Sequence, residues 1–140
     1  MVPSFARLAR FLLIAALAAA ALPAVAGAAG ARLAYVSNLG GGTLTPIDVF
    51  TGTPGAPMAM PSPRGSAITP DGTTAYVVNQ FANTVTPLDL QTGTPGTAIP
   101  VGDQPAGIAI TPDGTTAYVA GFDSHNVIPI DLTTARPAHP

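Results

Sequence analysis

The chain of 140 residues contains no cysteine, no glutamate and no lysine. The absence of cysteine excludes a disulfide framework, a thiolate metal site and a cysteine nucleophile. The charged residues are seven Asp and five Arg, and two of the Arg lie within the first ten residues. Such a shortage of positive charge argues against nucleic acid as a partner, because binding to phosphates requires a basic surface.

Glycine and proline are abundant instead, with 15 and 16 residues. Their share approaches that of disordered segments. Here they recur at fixed spacing, which predicts turns between regular elements. The length suits one ordinary domain.

The N-terminal 26 residues have the three parts of a secretory signal peptide. Arg7 and Arg10 form a positive region, an apolar run covers residues 11–22, and Ala24-Val25-Ala26 supplies small residues for cleavage. We predict a cleaved signal helix, a short linker over 27–31 and an extracytoplasmic protein that is secreted, periplasmic or cell-surface. A retained membrane anchor is the alternative, but the apolar run is short for a bilayer core of about 30 Å. No membrane span is predicted after cleavage.

The remainder of the chain is a repeat. The phrase ITPDGTTAYV occupies residues 68–77 and again residues 110–119, and Tyr35, Tyr76 and Tyr118 each begin a Tyr-Val pair. A period of about 40–45 residues with several short strands indicates the blade of a β-propeller. A helical repeat has a similar period, but every segment after Pro23 is interrupted by Gly, Pro or clustered Thr within ten residues.

Each full repeat reads as four antiparallel strands. In the second repeat we predict strand a at 66–69, strand b at 74–79, strand c at 84–90 and strand d at 98–101. The corresponding blades cover about 32–60 without strand a, 61–101 complete, and 102–132 without strand d, followed by a disordered tail at 133–140. These 2.75 or so blades form an all-β, incomplete ring. Its open terminal blades expose apolar faces, which makes self-association possible.

A proline lies within each strand c, at Pro46, Pro87 and Pro129. Because proline cannot donate to a strand ladder, it belongs at an edge or a bulge. We therefore predict either a bulge in strand c or a strand d so weak that strand c is nearly an edge.

These residues resemble the YVTN family of β-propeller repeats, which includes YncE-like proteins. The match consists of Tyr35-Val36-Ser37-Asn38, of Tyr76-Val77-Val78-Asn79 and, more loosely, of Tyr118-Val119-Ala120-Gly121. The resemblance implies a propeller fold, and members of the family look like seven-bladed rings that serve as binding modules, scaffolds and sometimes enzymes. The chain departs from the family pattern at Gly121, where Asn is usual, and at the proline of each strand c.

No catalytic, cofactor or metal site is predicted. His125 lies beside Asp123, but no serine nucleophile motif accompanies this pair, and His139 lies in the Ala/Pro tail. The repeated aspartates are predicted to be structural, through bonds to turn N–H groups; they are Asp48, Asp71, Asp89, Asp113 and Asp131.

The loops differ in how strictly they repeat. In an up-and-down blade the a–b and c–d turns share one rim, and here they are nearly invariant. The b–c and d–a loops share the other rim and vary, so binding is expected there. The candidate residues of the variable rim are Asn79, Gln80, Phe81, Asn83, Asp103, Gln104, Phe122, Asp123, His125 and Asn126.

The sequence thus predicts a secreted repeat protein that acts as a binding or surface scaffold module without catalysis of its own. Its partner would be an unknown protein or cell-surface ligand. Two alternatives remain open: a fragment of a lactonase-like propeller enzyme, or a truncated gene product without independent function.

Overall fold

The computed structural model describes residues 32–138. The signal peptide and the linker predicted for residues 1–31 lie outside the described residues, as does His139. The described part contains eleven strands and no helix, so it offers no helix that is long and apolar enough to span a membrane. The strands are β1 (Leu33–Asn38), β2 (Thr43–Asp48), β3 (Met58–Ala59), β4 (Pro63–Ile68), β5 (Thr74–Asn79), β6 (Thr84–Asp89), β7 (Ile99–Pro100), β8 (Pro105–Ile110), β9 (Thr116–Gly121), β10 (Asn126–Asp131) and β11 (Arg136–Pro137).

The strands form three antiparallel sheets in chain order. The first sheet contains β1 to β3, the second β4 to β7 and the third β8 to β11, and each strand pairs with its neighbour in sequence. This is the up-and-down arrangement of a propeller blade. The predicted all-β fold class is confirmed. The first sheet has strands b, c and d of a blade, and the second sheet has all four.

The third sheet continues past residue 132, where the sequence prediction ended the blade. Strand β11 pairs with β10 through Asp131↔Arg136 and Ile130↔Pro137. This is the position of the isolated bridges Ile47↔Pro54 and Leu88↔Pro95 in the c–d turns of the other two sheets, so β11 belongs to the turn, and the described residues of the third sheet contain no counterpart of the outer strands β3 and β7. The turn forms because the Asp131 carboxylate accepts hydrogen bonds from the N–H groups of Thr133 and Thr134. The prediction of a disordered tail was therefore wrong for residues 133–138.

The strand-c prolines lie in an unbroken register. Tyr76 pairs with Pro87 without a bulge, and the N–H of Gly96 donates to the Pro87 carbonyl at 2.7 Å. The N and O atoms of a residue in an antiparallel strand point to the same side, so the missing proline N–H faces away from β5. The inner ladder consequently loses no bond.

Of the two predicted outcomes for strand c, the weak outer strand is therefore the correct one. Strand β7 is two residues long, which leaves most of β6 nearly an edge. The register shifts lie in strand a instead, between Pro63 and Ser66 in β4 and between Pro105 and Gly107 in β8.

The core lies between the sheets. The first and second sheets enclose a cluster of Leu44, Met60, Ala75, Val77 and Leu88. A second cluster between the second and third sheets comprises Tyr76, Val78, Val85, Ile99, Val101, Ala117, Val119 and Ile130. Strand β5 contributes to both clusters, which explains why its sequence has no polar face.

Candidate binding rim

The connections between strands lie on two rims. We call residues 39–42, 60–62, 80–83, 101–104 and 122–125 the loop rim, and the a–b and c–d turns the turn rim. Adjacent segments within each rim are bonded to one another: the N–H of Gln80 donates to Ser62 O at 3.0 Å on the loop rim, and the N–H of Leu90 donates to Thr73 O at 2.9 Å on the turn rim.

The aspartates of the turn rim are structural, as predicted. One carboxylate oxygen of Asp71 accepts bonds from the hydroxyls of Thr69 and Thr73 and from the Thr73 N–H, and Asp113 makes the same three bonds with Thr111 and Thr115. These bonds favour the charged carboxylate and hold the pKa of both residues below the ordinary value.

The aspartates that end strand c behave in the same way. The Asp89 carboxylate accepts hydrogen bonds from the N–H groups of Gln91 and Thr92. These backbone donors lower the pKa of Asp89, chiefly through Thr92, and the pKa values of Asp48 and Asp131 are lowered by equivalent turn bonds. Carboxylates that close turns in this way are poorly placed to act as bases.

Two shallow hollows lie on the turn rim of the second sheet. The larger has a volume of about 480 Å³ and is lined by Tyr76, Pro87, Asp89 and the following turn. The smaller, of about 360 Å³, lies between Gly72–Thr74 and Asp89–Gln91. The acidic group that lines both hollows is the Asp89 carboxylate, and one of its oxygens accepts hydrogen bonds from the turn.

Asn79 was predicted on the variable rim but lies inside the blade. It is fully buried, and its side-chain N–H group donates to the Thr84 and Thr86 hydroxyls at 3.1 and 2.8 Å. Asn38 makes the same pair of bonds with Thr43 and Thr45 in the first sheet. This asparagine therefore ties strand b to strand c, and its candidate role in binding is replaced by a structural one.

Gly121 occupies the equivalent position in the third sheet. A Cβ atom at this position would collide with the Ser124 hydroxyl oxygen and lie 2.8 Å from Asn126 Oδ1. Ser124 in turn donates to Asn126 Oδ1 at 2.6 Å. These two side chains occupy the space that Asn takes in the other sheets, which explains why the third repeat departs from the motif.

A chain of side-chain hydrogen bonds crosses the loop rim from the second sheet to the third. Gln80 donates through Nε2 to Gln104 Oε1 at 3.3 Å, and Gln104 donates through Nε2 to the Asp123 carboxylate. Gln80 is largely buried, whereas Asp123 is exposed. The structure thus brings together three of the predicted residues that lie far apart in the sequence.

Asn83 and Asp103 extend this group. The N–H of Gln104 donates to Asn83 Oδ1 at 2.9 Å, and Asn83 Nδ2 lies 3.5 Å from Asp103 Oδ1. Both Asn83 and Gln104 have positive φ, at 56° and 46°, a conformation that Asn tolerates better than most residues. Their side chains therefore hold two loops of the rim against each other.

Aromatic side chains stand beside this polar group. Phe81 and Phe122 are among the most exposed large apolar residues of the described chain. The guanidinium of Arg64 lies 5.7 Å from the centroid of the Phe122 ring, within the range of a cation–π contact. Arg64 lies at the end of a loop that was predicted on the variable rim, but it was not among the candidate binding residues. Because positive charge is so rare in this chain, the sequence alone could have drawn attention to Arg64.

His125 does not form a dyad with the Asp123 carboxylate. Its Nδ1 lies 2.8 Å from the backbone carbonyl oxygen of Asp123, while the carboxylate accepts from Gln104. Among the described residues, no group of three or more His, Asp, Glu or Cys is placed to hold a metal ion. The rim thus offers amide, carboxylate, guanidinium and aromatic groups, which suit recognition of a polar ligand with apolar parts.

Solved structures, unlike family models and curated proteins, include folds that are similar to this chain. Comparison with protein-family models and with curated proteins gives no match. A hydrazine synthase of Kuenenia stuttgartiensis superimposes with a TM-score of 0.73 and 34% identity, over 76% of this chain and 31% of that protein. A putative 6-phosphogluconolactonase of Bacteroides uniformis gives 0.62 and 17%, over 80% and 40%. The dihydro-heme d1 dehydrogenase NirN in complex with DHE gives 0.66 and 21%, over 76% and 23%.

All three structures have propeller-type folds, and the present chain has a propeller-type fold as well. The chain spans about a quarter to two fifths of the length of these proteins. At 17% and 21% identity, the second and third likenesses concern the fold alone.

Proposed function

We propose that this chain is an extracytoplasmic propeller repeat protein of the YVTN type whose loop rim binds a protein or a cell-surface ligand. The observation that carries the proposal is the bonded chain from Gln80 through Gln104 to Asp123. It fixes the loops of two sheets into one surface, next to exposed Phe81 and Phe122. Rigid aromatic groups beside satisfied polar groups are typical of binding surfaces.

The contrast between the rims supports the same function. On the turn rim the polar side chains that repeat are occupied by their own turns, as Asp71 and Asp113 illustrate. On the loop rim Asp123 and His125 are exposed, as is Asn126 at the start of the adjoining strand β10, and all three differ from their counterparts in the other repeats. A scaffold that repeats one rim and varies the other binds through the variable one.

Secretion and membership of the YVTN family belong to the same proposal. The signal-like N-terminus and the two Tyr-Val-x-Asn motifs support them. Mass spectrometry of the protein exported by a bacterial host gives the test, with a new N-terminus after Ala26 as the expected result. An intact N-terminus on the exported protein would count against secretion by signal cleavage.

A library of random peptides displayed on phage tests the binding function. Peptides selected on the chain are expected to lose at least about tenfold in affinity for a Phe81→Ser/Phe122→Ser variant, because buried aromatic anchors carry much of the binding free energy. Phe50→Ser is the matched control, since Phe50 is equally exposed but lies on the turn rim. Selected peptides whose affinity changes neither with the loop-rim variant nor with the turn-rim variant would overturn the proposal.

The lactonase-like alternative is supported by likeness of fold alone, because the putative lactonase structure is 17% identical to this chain. Turnover of a panel of lactones by the chain separates the two functions. Hydrolysis that survives the loop-rim variant would place an active site elsewhere.

A further inference from the structure

Two sheet faces of the described chain stand open, and each repeats the pattern of a face that is buried inside the molecule. We call Tyr118, Ala120, Val127 and Pro129, on the outer side of the third sheet, the tyrosine face. We call Ala34, Val36, Thr45 and Ile47, on the outer side of the first sheet, the valine face. The cross-strand pairs Tyr118↔Pro129 and Val36↔Thr45 show that the members of each set share a side of their sheet.

The internal interface between the second and third sheets shows how two faces of this kind pack against each other. Tyr76, Val78 and Val85 of the second sheet pack against Ala117, Val119 and Ile130 of the third. The first three correspond to Tyr118, Ala120 and Val127 of the tyrosine face. The last three correspond to Ala34, Val36 and Ile47 of the valine face. The two open faces therefore carry the two halves of an interface that the chain already forms with itself.

The side chains of the two open faces are far more exposed to solvent than their counterparts in the interface between the second and third sheets. Tyr118 is 48% exposed where Tyr76 is 6%, and Val127 is 61% exposed where Val85 is 0%. On the other side, Val36 is 42% exposed where Val77 and Val119 are 0%. No charged side chain lies within the strand segments 33–38, 43–47, 116–121 and 126–130, so neither face repels the other. Open apolar faces of this kind mark interaction sites.

We propose that the tyrosine face of one copy of this chain packs on the valine face of a second copy, in the manner of its own second and third sheets. A head-to-tail contact of this type either closes into a ring or grows into a filament. The described residues of one copy form three sheets, so two copies supply six, which lies within the four to eight blades typical of closed propellers. Three copies would exceed that range. The assembly is therefore a closed dimer with two identical contacts.

The dimer is tested by light scattering coupled to size-exclusion chromatography on the full chain. The expected mass is twice that of the chain found in the same sample by denaturing mass spectrometry. A monomer would overturn the proposal, whether residues outside 32–138 cover the faces or the faces stay open. An assembly that grows beyond the dimer with concentration would overturn ring closure.

Two single substitutions identify the faces. Val36→Asp and Val127→Asp each place a charge on one face, at positions exposed within the chain, and each is expected to abolish the dimer while circular dichroism stays unchanged. Phe50→Asp is the matched control, because Phe50 is exposed on the turn rim, and this variant is expected to remain a dimer.

Mixing the two variants tests the head-to-tail geometry. The Val36→Asp chain retains an intact tyrosine face, and the Val127→Asp chain retains an intact valine face. Their mixture is therefore expected to form a 1:1 complex through one contact, weaker than the dimer with two. A contact between like faces would leave one of the variants dimeric alone, and no complex on mixing would also overturn the proposal.

Discussion

The second and third sheets contain the same ten residues, ITPDGTTAYV, in two different surroundings. In both sheets the phrase forms the end of strand a, a turn and the start of strand b. Gly72 and Gly114 even have φ values of 73° and 72°. Local structure is therefore fixed by the phrase itself, because the turn residues and the strand formers agree within it.

Whether a residue of this phrase is buried depends on the sheet that lies beside it. The third sheet covers Tyr76 of the second sheet, whereas no described residue covers Tyr118 to the same extent. The same tyrosine is thus a core residue in one sheet and a surface residue in the other. In a repeat protein, the free energy of folding resides largely in such interfaces between neighbouring repeats.

The largest expected effect comes from removing this tyrosine in each sheet. Tyr76→Ala is expected to lower the free energy of unfolding by about 3 kcal/mol, because it leaves a cavity between two sheets. Tyr118→Ala is expected to cost less than about 1 kcal/mol, since an exposed side chain loses little packing. Urea titrations give both values, measured in the Val127→Asp background so that association does not contribute. Equal costs would mean that Tyr118 is covered in the isolated chain.

A pair of equivalent glycines in strand a sharpens the comparison. A Cβ atom on Gly65 would lie 2.8 Å from the Ala106 carbonyl oxygen, whereas one on Gly107 would meet nothing within 4 Å. Gly65→Ala is therefore expected to destabilise the chain by about 1–3 kcal/mol through overpacking between the second and third sheets. Gly107→Ala is expected to be close to neutral. Thermal melts of the two variants check the difference, and a neutral Gly65→Ala would show that the sheets can move apart at no cost.

Strand b and the repeat boundaries could be predicted from the sequence because their signals are local. Strand β5 matches the predicted 74–79, since its apolar run is bounded by a Pro-Asp-Gly turn and by Asn79. Strand β11 was missed because residues 134–138 read TARPA where the other repeats have TGTPG. The geometry of the turn survived the loss of its glycine, and only the pairing with β10 reveals it.

The candidate site was predictable only in outline. Loop order placed Gln80, Gln104 and Asp123 on one rim, but the bonds that join them cross between sheets. No sequence spacing encodes such contacts. Asn79 was misplaced for the opposite reason: polarity suggested exposure, while its Nδ2 donates to two threonine hydroxyls in the interior.

The altered turn of the third sheet provides a third test. Ala135 has a φ of 52° where Gly52 and Gly93 have 68° and 70°, and a left-handed conformation costs a residue with a Cβ about 1 kcal/mol. Ala135→Gly is expected to raise the free energy of unfolding by about that amount, while Gly93→Ala lowers it similarly. Chemical denaturation of both variants checks the signs. Two changes of the same sign would mean that the turns differ in more than this residue.

The smallest effect concerns pH and should be equal in the two sheets. Threonine hydroxyl and N–H donors hold the pKa of Asp71 and Asp113 below 3.8 in the folded chain. A carboxyl whose pKa is lower when folded stabilises the fold above the unfolded pKa, and this contribution is lost as the pH falls through the folded pKa. The wild type should therefore lose stability below about pH 4.

Asp71→Asn and Asp113→Asn are each expected to reduce the stability slightly at about pH 7 and to shrink the further loss at about pH 3. The two variants should match, because the turns make the same bonds to Thr69 and Thr73 in one sheet and to Thr111 and Thr115 in the other. Melting temperatures at the two pH values give the comparison. Unequal shifts would mean that the turn, like the tyrosine two residues into strand b, responds to what lies beside its sheet.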